Sequence, residues 1–183
     1  MIVYASMYGN TETAAEVLST KLAERGVTNT RLYDVSSTHV SYLISDLFKY
    51  SHLVLASVTY NLGIFPPMHS FLMDMKALNL QKRTVALVEN GSWAPRSGAL
   101  MREELEKLKH MDILDDSLTM VSSLQEQNLG EMDALADAIA ASVKYMGERV
   151  QFGKPIGKNQ GLQWYLADMA TRTEAAKALI LEA

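Results

Sequence analysis

Five short apolar runs alternate with longer stretches in which apolar residues recur every three or four positions, and this alternation constrains the fold more than any other feature. The runs are Ile2–Ala5, Thr30–Asp34, Leu53–Ser57, Thr84–Val88 and Leu118–Ser122. The helical patterns are Thr11–Arg25, Tyr42–Lys49, Met68–Leu78, Ser97–Lys109 and Leu129–Val143, and Gly26 stands where a glycine closes a helix. Strands joined by crossover helices lie parallel and are covered on both faces. The pattern predicts an α/β chain with a doubly wound, five-stranded parallel sheet of order 2-1-3-4-5. A ligand is expected at the carboxyl ends of its strands.

The first strand-to-helix turn, Ser6-Met7-Tyr8-Gly9-Asn10-Thr11-Glu12-Thr13, carries chemistry. A hydroxyl-rich turn with a glycine at a helix N-terminus offers converging backbone N–H groups and the positive end of the helix dipole to an anion. The same residues also suit an ordinary capped turn. The turn has no lysine, so a magnesium triphosphate is a poor guest. It also lacks the three-glycine dinucleotide fingerprint, and a single terminal phosphate on a mononucleotide-like ligand fits it better.

Two further loops should meet this turn at the same sheet edge. They are Val58-Thr59-Tyr60-Asn61-Leu62-Gly63-Ile64-Phe65-Pro66-Pro67 after the third strand and Glu89-Asn90-Gly91-Ser92-Trp93-Ala94-Pro95 after the fourth. Each is read as an extended loop with an aromatic residue, a glycine and small polar groups. Such a loop pair can wall a flat heteroaromatic ring and reach its edge with backbone groups. Tyr60 and Trp93 can equally be loop anchors over the sheet.

Composition narrows the field. The 183 residues carry a formal charge of −4, which gives no electrostatic footprint for nucleic acid. With no cysteine, disulfides, thiolate metal sites, iron–sulfur clusters and cysteine nucleophiles are excluded within this sequence. His39, His52, His69 and His110 are scattered, and none sits in a metal-ligand spacing, so no metal is expected. No apolar run is long enough for a membrane span and no basic-then-apolar leader is seen, so a cytoplasmic protein is expected.

The three motifs Tyr4-Ala5-Ser6-Met7-Tyr8-Gly9-Asn10-Thr11-Glu12, Thr59-Tyr60-Asn61-Leu62-Gly63-Ile64-Phe65-Pro66-Pro67 and Glu89-Asn90-Gly91-Ser92-Trp93-Ala94-Pro95 together resemble the flavodoxin domain of flavodiiron proteins, also called A-type flavoproteins. The resemblance covers about residues 1–144 and implies a flavodoxin-like FMN-binding domain. By analogy Ser6, Met7, Gly9, Asn10 and Thr11, with Tyr8 in the same turn, surround the phosphate. The ring system lies between the Thr59–Gly63 and Asn90–Ala94 loops, with Tyr60, Asn61, Leu62, Gly63 and Trp93 in contact; Gly91 and Ser92 complete the second loop. The resemblance also implies relay of electrons from a redox donor to a diiron domain, which is expected to be absent from this chain.

Residues 145–183 differ from what precedes them. Arg149, Lys154, Lys158, Arg172 and Lys177 stand against Glu148, Asp168, Glu174 and Glu182, a net of +1 from five positive and four negative residues. The stretch Glu148-Arg149-Val150-Gln151-Phe152-Gly153-Lys154-Pro155-Ile156-Gly157 and the sequence through Ala170 resemble a piece of the C-terminal helical domain of acyl-CoA dehydrogenases. Neither FAD binding nor dehydrogenation is carried over from so small a part. The segment is expected to form a helical hairpin: the fifth helix runs on towards Arg149, the chain turns at Gly153, Pro155 and Gly157, and a last helix spans about Gln160–Leu181. Its apolar face can bury against the sheet layer, the preceding helix or a second copy, so a homo-oligomer is one expectation. Two such families joined in one helix suggest a chimera, engineered or natural.

The expected function is a one-electron relay through the flavin semiquinone. Gly63 or Leu62 would supply a peptide flip towards the reduced ring, with Tyr60, Trp93 and an acidic surface opposing the electron-rich form. The rivals are an FMN-dependent NAD(P)H oxidoreductase, separated by an assay for NADH oxidation, and a scaffold with no activity of its own.

Overall fold

A computed structural model of the chain describes residues 1–148 together with 150–151 and 154–155. Strand β1 (Ile2–Ala5) leads into α1 (Asn10–Glu24), and β2 (Leu32–Asp34) into α2 (Val40–Leu47). Strand β3 (His52–Tyr60) folds back on the two-residue β4 (Gly63–Ile64) before α3 (Pro66–Ala77). Then follow β5 (Thr84–Gly91), α4 (Ser97–Leu105), β6 (Asp112–Val121), a single 3₁₀ turn (Glu126–Asn128) and α5 (Leu129–Glu148). A short antiparallel pair, β7 (Val150–Gln151) with β8 (Lys154–Pro155), ends the described part. The expected last helix lies outside the described residues.

The main strands run parallel in the order β2-β1-β3-β5-β6, and β4 joins only β3, antiparallel to it. With β4 set aside, this is the 2-1-3-4-5 order expected from the sequence. Successive residues of the central strands enter opposite cores, as a period of two requires. Val3, Ala5, Leu53, Leu55, Val85 and Leu87 pack with α2, α3 and α4 through Leu43, Leu47, Met68, Phe71, Leu72, Met75, Met101 and Leu105. Ile2, Tyr4, Val54, Ala56, Ala86, Val88, Leu118 and Met120 pack on the other face with α1 and α5, through Ala14, Ala15, Leu18, Leu22, Met132, Leu135, Ala136 and Ile139. Burial on both faces explains why the inner strands read as unbroken apolar runs.

Helix α1 closes as anticipated at Gly26, whose φ of 83° allows the Schellman pair Gly26 N–H to Ala23 O and Val27 N–H to Leu22 O. Several boundaries moved. Strand β3 extends past its apolar run to Tyr60, because Thr59 and Tyr60 pair antiparallel with β4, and β5 extends to Gly91 along its parallel ladder with β6. Strand β6 begins at Asp112, well ahead of its apolar part, and shifts register against β5 between Val85 and Leu87. Helix α4 stops at Leu105, and α5 continues to Glu148 as the lack of a breaker suggested.

Candidate functional site

The chain leaves β1 at Ala5 and enters α1 through a turn built on itself. The Gly9 N–H donates to Ser6 Oγ at 3.0 Å, and Gly9 sits at φ 85°, in the left-handed region that glycine occupies at no steric cost. The Thr13 N–H and hydroxyl both return to Gly9 O, at 2.8 and 3.1 Å, and make the first helical closure. The N–H groups of Asn10, Thr11 and Glu12 precede that closure, and among the described residues no side chain caps the helix. An uncapped N-terminus with its dipole end open suits a phosphate. Met7 and Tyr8 stand exposed at its rim, while Thr11 is buried beneath it.

The expected extended loop after the third strand is instead a tight hairpin. Thr59 pairs with Ile64 and Tyr60 with Gly63, leaving Asn61 and Leu62 as a two-residue turn with φ of 48° and 61°. Two consecutive left-handed residues make a type I′ turn, which matches the twist of a hairpin. Asn tolerates this conformation, whereas Leu pays about 1–2 kcal/mol for it. Of the two residues expected to supply a peptide flip, Leu62 lies in the left-handed pair with Asn61, whereas Gly63 is a strand residue. Tyr60 packs edge-on against Phe65, with ring centroids 5.8 Å apart.

After β5, Ser92, Trp93 and Ala94 form an exposed arch between buried Gly91 and the start of α4. Trp93 is 92% exposed, so it stands clear of the sheet as a free wall. A Cβ on Gly91 would lie 2.8 Å from Pro95 Cα, so the arch is closed too tightly for a side chain there. The N-terminus of α4 holds the carboxyl ends of β3 and β5 together. Thr59 Oγ1 accepts from the N–H groups of Arg96 and Ser97 at 2.9 and 3.0 Å, and the Ser97 hydroxyl donates to Ser57 O at 2.7 Å. The Glu89 carboxylate takes the Gly98 N–H at 2.7 Å and the Thr119 hydroxyl at 2.9 Å. Thr59 thus serves the scaffold of the loops with its hydroxyl.

Asn90 joins the loop after β5 to the turn after β1. Buried to 3% exposure, it donates through Nδ2 to Thr11 Oγ1 at 3.4 Å and to Ser122 O at 2.8 Å. Ser122, at φ 68°, also donates its N–H to Gly91 O at 2.9 Å. The Ser122 carbonyl fixes the amide's orientation, since a flipped Asn90 would set two acceptors against each other. Asn90 Oδ1 is left buried with no partner among the described residues. An orphaned acceptor beside an open helix N-terminus marks a place where a polar ligand or water belongs. These supporting contacts, from Glu89, Ser97 and Ser122, join distant segments and left no local motif in the sequence.

The charge of this edge is arranged as well. The Tyr4 hydroxyl donates to Glu12 Oε1 at 2.7 Å, and burial together with that carboxylate pushes the Tyr4 pKa up. Among the described residues, no group of three or more His, Cys, Asp or Glu could hold a metal, and no helix is long and apolar enough to cross a membrane.

A doubly wound sheet whose first turn opens an uncapped helix towards two aromatic-bearing loops defines a mononucleotide-binding α/β protein of the flavoprotein kind. The chain belongs to the flavodoxin family: the flavodoxin model matches residues 2–109, more than half its length. FMN is the cofactor of that family, and the uncapped turn, the orphaned amide oxygen and the two ring loops fit it.

The fold is shared with rubredoxin oxygen:oxidoreductase from Desulfovibrio gigas, at a TM-score of 0.73 and 24% identity over 78% of this chain and 35% of that one. It is also shared with the flavodiiron protein from Giardia intestinalis, at 0.71 and 21%, covering 79% and 36%. An archaeal flavodoxin matches at 0.68 and 21%, covering 78% of this chain and 96% of its own.

The C-terminal domain model of acyl-CoA dehydrogenase matches residues 127–183, so that likeness takes in α5 and begins well before residue 145. Curated relatives in this part include acryloyl-CoA reductase (NADH) of Anaerotignum propionicum, 67% identical over 43 residues, 24% of this chain and 11% of that protein. An acyl-CoA dehydrogenase of Bacillus subtilis is 51% identical over 57 residues, 31% of this chain and 14% of that one. The chain therefore spans only about a tenth to a seventh of these relatives' length.

Proposed function

We propose that this chain is an electron-transfer module that holds FMN at the carboxyl edge of its sheet and passes electrons singly between protein partners. The observation that carries the reading is the hydrogen bond from Asn90 to Thr11, which ties the turn suited to a phosphate to the loop suited to a ring. Ser6, Met7, Tyr8, Gly9, Asn10 and Thr11 would receive the phosphate, chiefly through backbone N–H groups and hydroxyls. The Thr59–Gly63 hairpin and the Asn90–Ala94 arch would receive the isoalloxazine. FMN supplies the redox chemistry when bound. Tyr60 and Trp93 exclude water from the ring, while α4 holds the two loops in register through Thr59 and Glu89.

A redox protein or a diiron domain is the partner this reading requires, by analogy with the flavodiiron neighbours. Residues 1–144 would be the flavin domain and 145–183 a helical extension, available for self-association, and the protein would work in the cytoplasm. Absorption spectra before and after FMN addition and desalting test the site. Potentiometric titration then tests the relay: two resolved one-electron steps support it, and a single two-electron step with steady NADH oxidation favours the oxidoreductase instead.

A further inference from the structure

Helix α1 carries a glutamate at its third position, Glu12, where a carboxylate ordinarily reaches back to cap the helix N-terminus. Here it does not. The Gly9 N–H that such a carboxylate would take is given to Ser6 Oγ at 3.0 Å, and Glu12 Oε1 is engaged by the Tyr4 hydroxyl at 2.7 Å. Tyr4 is 8% exposed and lies on β1, two residues ahead of the turn, packed among the α1 and α5 side chains. Its hydroxyl is therefore a fixed donor, whereas the half-buried Glu12 side chain is the member of the pair able to move.

We propose that Tyr4 is a positioning residue that holds the Glu12 carboxylate off the N-terminus of α1 and so keeps that N-terminus open to the phosphate of FMN. The inference rests on the FMN reading given above. Two costs follow if the restraint is lost. A free Glu12 can compete for the same N–H groups as the phosphate, and its negative charge would stand at the same helix N-terminus as a dianion. Both costs fall on the phosphate alone, so riboflavin, which has the same ring and polyol but no phosphate, is indifferent to them.

Flavin fluorescence titrations of the full chain at low ionic strength test this. Tyr4→Phe keeps the buried ring and removes only the hydroxyl. It lowers FMN affinity about tenfold while riboflavin affinity changes by less than about twofold, and the loss shrinks at high salt. Adding Glu12→Gln to Tyr4→Phe restores FMN affinity, which a merely structural role of Tyr4 would not allow. Equal losses for both flavins, no loss for FMN, or a failed rescue overturns the inference. Should Tyr4→Phe fail to fold, Glu12→Ala decides: with the carboxylate already held away, FMN affinity rises by no more than about threefold, and a larger rise overturns the proposal. A wild-type chain that takes up no FMN overturns the flavin reading and this inference together, whereas a wild type that binds FMN with an unaltered Tyr4→Phe overturns the inference alone.

Discussion

The side chain of Asn90 bonds Thr11 Oγ1 at 3.4 Å from a position 79 residues further along the chain, and both residues are buried. Because Asn90 Nδ2 gives its other proton to Ser122 O, the Thr11 hydroxyl acts as acceptor in this pair and its own proton is free to point into the turn between β1 and α1. Thr11→Val keeps the shape and removes the hydroxyl. It should weaken FMN binding about tenfold and lower stability by about 1 kcal/mol, since the Asn90 amide loses a buried partner. Fluorescence titration and urea unfolding measure the two effects, and unchanged FMN affinity would show that Thr11 takes no part in phosphate binding.

Gly91 closes the arch that carries Trp93. With backbone atoms of Pro95 2.8 and 2.9 Å from where a Cβ would sit, nothing flexible can give way. Gly91→Ala is expected to destabilise the fold by about 1–3 kcal/mol and to loosen the ring loop. Gly130→Ala, where an added Cβ meets nothing within 4 Å, is the control and should leave the melting temperature unchanged or slightly raised. Thermal melts of the two variants decide, and equal behaviour would mean the arch is slack.

The parallel core was legible because its strands obey one rule. Ile2–Ala5 is buried at all four positions and was bounded correctly from its apolar run alone. The edge strand β6 was half missed for the opposite reason: Asp112, Asp115, Asp116 and Ser117 are exposed and carry no apolar signal. In the site, each loop was visible as a cluster of glycine, aromatic and small polar residues. The conformation of the Asn61–Leu62 turn was not, since a leucine at φ 61° contradicts its own propensity and is imposed by the β3–β4 pairing. Contacts such as Thr59 to Ser97 and Tyr4 to Glu12 are products of tertiary placement, with nothing in local spacing to announce them.

His52, at the opposite edge of the sheet, gives a pH dependence with a fixed sign. Burial lowers its pKa, the positive N-terminus adds to that, and its Nε2 is buried with no partner among the described residues. A base with a depressed folded pKa binds protons more readily when unfolded, so stability is complete above the ordinary histidine range near 6.5 and falls as pH drops below it. Melting temperatures at pH 7.5 and about 5.5 should show this drop, and His52→Gln should reduce it. An identical pH slope in the variant would assign the loss to other groups.

Helix α5 lies inside the acyl-CoA dehydrogenase match, yet it is an integral layer of the flavodoxin fold. Met132, Leu135, Ala136 and Ile139 are buried against the sheet and α1. Across the same seam Asp133 receives Lys21 Nζ at 2.7 Å and Arg25 Nη2 at 2.9 Å, while Asp137 receives Arg25 Nε at 2.6 Å. The hydrogen bond from Lys21, with a second from Arg25, holds the Asp133 pKa below the usual carboxylate value. The stabilisation from this pair is therefore present above about pH 4 and is lost as pH falls through the carboxylate range. Asp133→Asn should lower the melting temperature at neutral pH, less so in high salt, and make no difference in acid. Apolar burial carries the larger share, at about 1.5–3 kcal/mol for each large side chain. A chain ending at Glu148 should therefore keep the cooperative melt and the FMN affinity of the full protein. One ending at Asn128 should lose cooperative unfolding by circular dichroism, because half the cover of one sheet face goes with α5. Cooperative unfolding of the shorter chain would show that α5 is an appendage, and that the flavodoxin unit closes before it.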